Sequence, residues 1–328
     1  MLETLKLVQG AVSSVTLIPV LTHFAFHHGR VRAFSGRLSI DAPLPELKHL
    51  TGTVPAEPFV KAVEACGGEE FSVVQYPDGI TLESEHLEVS MPCGPLESFP
   101  GLEEDAIIKA NLKCPEMLAA LRALRPFIGT DASRPWAMGI LFDGAELAAT
   151  NNTTIAMVTL PRQMRRTFIL PAPAVDELLR LNLPPRGFAV DSHRATFFLP
   201  GDVVLQTALV DGVWPKSPGL VVEEQTKGAK FKKLPPRLHA AVQSLLPFCA
   251  DPKAPVVFFD GEQIKTADGP LQGHVEGFKG LGACKFRVEP LLGVLEAAQE
   301  ADFGRFPRVP WRGVQEGIAL RGIVLGML

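Results

Sequence analysis

The chain repeats itself at a period of 116 residues. TVPAEPFVKAVEA begins at Thr53, ILPAPAVDELLRL at Ile169 and KFRVEPLLGVLEA at Lys285, each start 116 residues after the one before. All three pass from a short extended lead into a proline-bearing helix start and then into apolar positions at helical spacing. Pro19 of LIPVL and Pro135 of SRPWAMG are also 116 apart, and VVLQTALVDG from Val203 answers ALRGIVLGML from Ala319 at the same offset. Phe99-Pro100 answers Trp214-Pro215 at 115. A period above about 100 residues is that of whole domains rather than of solenoid turns.

Each unit carries its parts in one order. A first helix is read in LETLKLVQGAV, in PEMLAALRALRPFI and in LPPRLHAAVQSLLPF; in the middle one Leu118, Leu121, Leu124 and Ile128 share a face, with Arg122 and Arg125 off it. Strand, turn and strand follow in VLTHFAFHHGRVRAFSG, MGILFDGAELAATNN and VVFFDGEQIKTADG, where HHG and DG are hairpin signals. Further strands come after the second helix. The pattern predicts an α+β chain of three domains, residues 1–110, 111–222 and 223–328, each an antiparallel sheet with two helices. The polar cluster TNNTT, between the apolar runs AELAA and IAMVTL, then links the second and third strands of the middle unit, because Asn and Thr side chains bond nearby backbone groups.

At 328 residues the chain is too long for one ordinary core, and 46% hydrophobic with 21% charged residues is the composition of a soluble globular protein. Cysteines 66, 93, 114, 249 and 284 are widely spaced with no CxxC pair, which predicts buried thiols of a reducing compartment and no metal site. MLETLKLVQGAVSS does not read as a signal peptide, and VTLIPVL is too short to span a bilayer, so a cytoplasmic protein without a membrane partner is expected. The sequon-like Asn151 and Asn152 are then chance matches. No GxSxG, HExxH, Walker A or GxGxxG occurs, and GFKGLG at 277–282 has the wrong spacing for a phosphate loop. His27-His28 lies at a hairpin tip, and Asp131 and Asp143 lack a partner acid at a recognisable spacing. Neither an enzyme nor a cofactor is expected.

The segments LIPVLTHFAF, TVPAEPFVKAVEA with LEVSMPCGPLESFPGLEE, RPWAMGILFDGAELAATNNTTIA with ILPAPAVDELLRL and ALVDGVWP, and the terminal LRGIVLGML resemble, in order and spacing over the whole length, the bacterial DNA polymerase sliding clamps of the beta subunit family, a phage version most of all. The resemblance implies three clamp domains per chain, joined head to tail in a homodimeric ring around duplex DNA. It also implies polymerase and clamp-loader partners at the replication fork in the bacterial cytoplasm. Helices packed about 10 Å apart give six of them a clear bore of only about 10 Å, whereas twelve from two chains leave about 28 Å around a duplex about 20 Å wide. Edge-to-edge pairing of sheets across domain boundaries would remove exposed strand edges.

Such binding is sequence-blind and uses cations near phosphates. Over the six candidate helices (residues 2–12, 56–66, 115–126, 172–182, 230–246 and 287–298) the formal charge is +2, against −6 for the rest of the chain. Lys6, Arg122, Arg125, Arg134, Lys230, Lys232, Lys233 and Arg237 are the candidate DNA contacts. Glu57, Pro58, Ala172 and Pro173 stand where the family often carries basic residues, a departure from its pattern.

In bacterial clamps the stretch equivalent to TNNTTI commonly reads TDGHRL and helps form a pocket for an apolar partner peptide. The resemblance places a peptide groove between the second and third domains at Ala137, Thr150, Asn152, Thr154, Ile155, Ile323, Leu325 and Met327. Its rim lacks the usual His and Arg, so acidic peptide residues should add little, and removal of Met327 and Leu328 should abolish polymerase stimulation. The rival class is a clamp-like scaffold or decoy that binds replisome peptides but not DNA.

Overall fold

The computed structural model describes residues 1–14, 17–100, 114–161, 163–164, 166–266, 271–278 and 281–328. The first run of elements is α1 (Leu2–Gln9), β1 (His23–His27), β2 (Arg30–Phe34), β3 (Leu38–Pro43), β4 (Gly52–Pro55), α2 (Ala56–Ala65), β5 (Phe71–Tyr76), β6 (Gly79–Ser84) and β7 (Glu88–Pro92). The second is α3 (Met117–Leu124), β8 (Gly139–Asp143), β9 (Glu146–Thr150), β10 (Thr154–Thr159), β11 (Phe168–Pro171), α4 (Ala172–Leu181), β12 (Gly187–Val190), β13 (Arg194–Phe198) and β14 (Val204–Ala208). The third opens with α5 (Pro218–Thr226) and β15 (Lys232–Lys233), then α6 (Leu238–Leu245), β16 (Val256–Asp260), β17 (Gln263–Thr266) and β18 (His274–Glu276). It closes with β19 (Ala283–Arg287), α7 (Val288–Ala297), β20 (Glu300–Ala301), β21 (Arg308–Gln315) and β22 (Ile318–Leu325).

The repeat is visible in the backbone. The strand-to-helix junction falls at 55/56, 171/172 and 287/288, spaced by the same 116 residues as the sequence repeat. Pro58, Pro173 and Pro290 sit in the first turn of α2, α4 and α7, where a missing N–H costs nothing because that turn has no intrahelical acceptor. Behind each proline one face goes inward: Phe59, Val60 and Val63 on α2, Leu291, Val294 and Leu295 on α7. Burying each such side chain stabilises by about 1.5–3 kcal/mol.

The elements gather into two compact units, Met1–Pro115 with Glu177–Leu209, and Glu116–Asp176 with Val210–Leu328. In the first, one sheet has the order β12-β13-β14-β3-β2-β1-β4 and another β5-β6-β7. In the second, the sheets are β11-β8-β9-β10-β22-β21-β20-β15 and β18-β17-β16-β19. All pairings are antiparallel. Each large sheet joins two repeats by the same rule: the last strand of one repeat lies beside the third strand of the repeat before it. β14 pairs β3 with Leu205 opposite Ile40, and β22 pairs β10 with Ile323 opposite Ile155. The edge-to-edge joining expected from the sequence is thus present inside both units.

Inter-repeat packing follows the sheets. In the first unit Arg180 of α4 donates from Nη2 to the carbonyl oxygen of Leu7 at 2.6 Å, satisfying the C-terminal end of α1. The same guanidinium pairs with the buried carboxylate of Glu177. In the second, Phe127 stacks on the fully buried Trp311 with ring centroids 5.5 Å apart.

One expectation needs correction. Residues 230–246 are not one helix: Lys232 and Lys233 form an edge strand beside Glu300 and Ala301, and the helix begins only at Leu238. Pro235 and Pro236 explain this, since the residue before a proline is pushed to extended backbone. A further helix, α5, runs through residues 222 and 223, and residues 110 and 111 lie outside the described residues. Among the described residues no helix is long and apolar enough to cross a membrane.

Candidate functional site

The turn Asn151–Thr153 is built by its own side chains. Asn151 Oδ1 accepts from the N–H groups of Thr153 and Thr154 at 3.1 and 2.8 Å, and Thr150 Oγ1 donates to the Thr154 carbonyl at 2.7 Å. Asn152 carries the positive φ of 70° that the reversal requires, a conformation Asn tolerates better than most residues. The turn therefore stands fixed at the end of β9 and β10, beside the end of β22.

On one side of it lies an apolar groove of about 670 Å³. Ile155 and Ile323 form the floor as cross-strand partners, and Trp136, Trp214 and Val221 pack on the core cluster of Leu141, Met157 and Val222 beneath. The two indoles meet edge to face at 5.4 Å. Leu220 of α5, 68% exposed, and Leu325 at the end of β22 form apolar lips. Lys216, Glu224 and Arg308 supply the charged rim. A long, one-sided apolar slot with few polar groups suits the insertion of apolar side chains rather than chemistry.

Of the residues the sequence placed here, Thr150, Asn152, Ile155, Ile323 and Leu325 line the groove. Ala137 does not: it is buried, with its carbonyl taken by the Gly129 N–H, and its neighbour Trp136 lines the wall instead. Thr154 is buried one strand position from Ile155, on the other face of the sheet. Met327 is also outside the lining; its N–H donates to the Lys285 carbonyl at 2.7 Å, so the C-terminus turns away toward β19. The rim is not stripped of cations, because Arg308 and Lys216 stand there although the TDGHRL-like arginine is absent. Trp214 and α5 were missed as a wall. The signal was present in VDGVWPKSPGLVV, a linker whose Val213 (87% exposed) and Leu220 face solvent in spite of their hydrophobicity.

Across the same turn lies a second, polar hollow of about 430 Å³, sharing Asn152 and Thr153 with the groove. Lys253 and Arg287 face Asp131 and Glu289 there. Asp131 also accepts from the Ser133 hydroxyl and N–H, which lowers its pKa.

The candidate DNA cations divide into two kinds. Lys6 Nζ lies 2.8 Å from Glu64 Oε1, and that hydrogen bond raises the lysine's pKa. Arg125 holds Asp176 through two nitrogens, Nη2 to Oδ2 at 2.9 Å, Arg122 pairs with Glu316, and Arg134 lies 3.8 Å from Asp131. Lys230, Lys232, Lys233 and Arg237 are exposed, and no carboxylate pairs with their side chains among the described residues. Lys232 and Lys233 form the edge strand β15, Lys230 precedes it and Arg237 caps the start of α6, so none lies within a helix. The six helices α1–α4, α6 and α7 carry four cations (Lys6, Lys61, Arg122, Arg180) against seven carboxylates, so the helical charge balance expected to be positive is negative.

Catalytic candidates stay apart. His27 and His28 stack on each other 3.7 Å apart at the hairpin tip, and Asp143 accepts from the Thr167 hydroxyl at 2.8 Å. Among the described residues no group of three His, Cys, Asp or Glu could hold a metal ion. Two residues of GFKGLG, 279 and 280, lie outside the described residues.

No protein-family model and no curated protein matches the sequence. Solved structures do. Three repeats of helix and antiparallel sheet with this strand order are those of the DNA clamp fold. The sliding clamp of Bartonella birtlesii bound to griselimycin superposes with a TM-score of 0.80 at 18% identity over 100% of this chain and 96% of that one. The beta subunit of DNA polymerase from Streptococcus pyogenes gives 0.79 at 13% identity over 99% and 97%. The Helicobacter pylori beta clamp bound to a DNA ligase peptide gives 0.76 at 13% identity over 100% and 97%. The chain thus has the fold of the bacterial DNA polymerase III beta subunits, end to end.

Proposed function

We propose that the chain is a DNA sliding clamp: an accessory protein without catalysis of its own, acting in the bacterial cytoplasm, that encircles duplex DNA as a head-to-tail homodimer and tethers a polymerase. Its clamp domains are taken as residues 1–110, 111–222 and 223–328, and a phage replisome is its suggested setting. The observation that carries the reading is the strand rule. β14 beside β3 and β22 beside β10 use the last strand of one repeat and the third strand of the one before, which leaves β7 and β18, among the described residues, as unpaired edges of their sheets. Those two strands are the ones the rule would join between copies. Head-to-tail pairing of β7 with β18 satisfies both edges and closes a two-chain ring.

The groove beside Ile155 and Ile323 takes the apolar anchors of polymerase and clamp-loader segments. The Helicobacter pylori clamp of the same fold was solved with a ligase peptide, which supports peptide capture as a use of such a protein. Light scattering tests the assembly: a particle of twice 35.4 kDa is expected, and a monomer or a trimer at micromolar concentration sinks it. Retention on circular but not on linearised DNA after loading tests the topology. The acidic balance of the helices favours one second reading, a peptide-binding scaffold that does not hold DNA, for which retention on circular DNA would be absent.

A further inference from the structure

In every repeat a nitrogen-bearing side chain of the first helix or its end meets a carboxylate of the second, as an ion pair in the first two repeats. Lys6 of α1 reaches Glu64 of α2, Arg125 at the end of α3 reaches Asp176 of α4, and His239 of α6 lies 3.3 Å from Glu296 of α7. Positions 64, 180 and 296 are equivalent under the 116-residue repeat. Glu occupies the first and the last; the middle one is Arg180, and the acid has moved back one helical turn to Asp176. The bridge is kept although its residues change. The side chains of the Lys6–Glu64 and Arg125–Asp176 pairs are about half exposed, so both pairs are reachable from solvent.

We infer that Glu64 and Asp176 are internal competitors of the DNA phosphate: they neutralise Lys6 and Arg125 and leave phosphate contact to Lys232, Lys233 and Arg237. This rests on the clamp reading. An exposed ion pair contributes little to stability, so little of the fold depends on these carboxylates. Their effect on DNA is larger, because a cation already facing a carboxylate cannot replace a DNA counterion without bringing a negative charge against the phosphates. The cations that can do so are the exposed ones at β15 and before α6. A clamp built this way grips DNA weakly over most of its helical layer and firmly at one place per chain, which suits movement along the duplex.

The test is a salt titration of binding to a short linear duplex, using the full chain with Glu64→Gln and Asp176→Asn together. Two freed cations per chain, four in the two-chain ring, steepen the slope of log affinity against log salt by up to about 3.6, so that the loss between 50 and 200 mM salt grows by up to about 150-fold. Tighter binding at low salt with the steeper slope supports the inference; an unchanged or shallower slope overturns it. Glu3→Gln removes an exposed carboxylate of α1 that makes no ion pair among the described residues and acts on Lys6 only through space, and equal tightening by that variant also overturns the inference, since the direct pairs would then not be the cause. Lys6→Gln should alter little in the native chain and should remove half of the gain in the double variant. Melting temperatures within about 2 °C of the native chain identify folded variants, and a double variant that melts earlier is replaced by the two single ones, each expected to give half the change. Failure of the native chain to be retained on circular DNA is a separate outcome, which removes the clamp reading itself.

Discussion

The backbone N–H of Leu325 donates to the carbonyl oxygen of Thr153 at 2.8 Å. One hydrogen bond thus fastens the end of the last strand to a turn some 170 positions earlier in the chain, and the turn so fixed divides the apolar groove from the polar hollow.

Asn151 is the side chain that organises the turn, through its bonds to the N–H groups of Thr153 and Thr154. Asn151→Ala should cost about 1–2 kcal/mol of stability, the net value of two backbone-directed hydrogen bonds. It should also weaken an apolar peptide measured by fluorescence polarisation. Unaltered peptide affinity with a lowered melting temperature would show that the groove does not need the turn.

The groove's lip can be tested without disturbing the core. Leu220→Ser removes an exposed side chain from α5 and should leave stability within about 0.5 kcal/mol. If a bound peptide covers it fully, the loss in affinity is about 1.5–3 kcal/mol, or about 10- to 150-fold. Deletion of Met327 and Leu328 should leave the same affinity within about 2-fold, contrary to the expectation from sequence, because Met327 is fastened to Lys285 outside the groove.

Much of this was legible in the chain and some was not, for identifiable reasons. The three strand–helix junctions announced themselves because proline can occupy only the first turn of a helix and the apolar positions after it fall on one face. TNNTT read as a turn because Asn and Thr act on the backbone next to them. α5 was missed because Leu220, Val221 and Val222 are consecutive and show no helical stripe, although Ser217-Pro218 is a helix-start signal. Arg308 was missed because only the register of β10 on β22 and of β22 on β21 carries it to the groove, and register is a property of the folded sheet. Ala137 and Thr154 fell on the wrong side for want of the same information: a one-residue step along a strand changes the face.

Burial pushes the Cys284 thiol up to about 11, and burial likewise raises Cys249. The unfolded thiol ionises near its ordinary value of 9.0, so between pH 9 and about 11 the unfolded state holds fewer protons than the native one and stability falls as pH rises. The expected slope is up to about 1.4 kcal/mol per pH unit from Cys284 alone, read as the difference between native and Cys284→Ala denaturation curves. Below pH 9 the two curves should run parallel. A thiol reagent at pH 8.5 should reach the half-exposed Cys93 first and the buried Cys66, Cys114, Cys249 and Cys284 only on unfolding.

The proposed ring joint uses β7, an edge strand of its sheet, and the alternation of its backbone provides a test. Successive N–H groups of a strand point to opposite sides, so of Val89 and Ser90, which face Leu82 and Thr81 of β6, one donates toward β6 and the other toward the open edge. Proline at the first position breaks the ladder inside the subunit and should lower its melting temperature. At the second it removes a donor that only a partner strand uses. One of the two variants is therefore expected to yield a folded monomer by light scattering, with its melting temperature close to that of the native chain and with no retention on circular DNA. Two folded dimers, or a native chain that is itself monomeric, would show that β7 is not the joint.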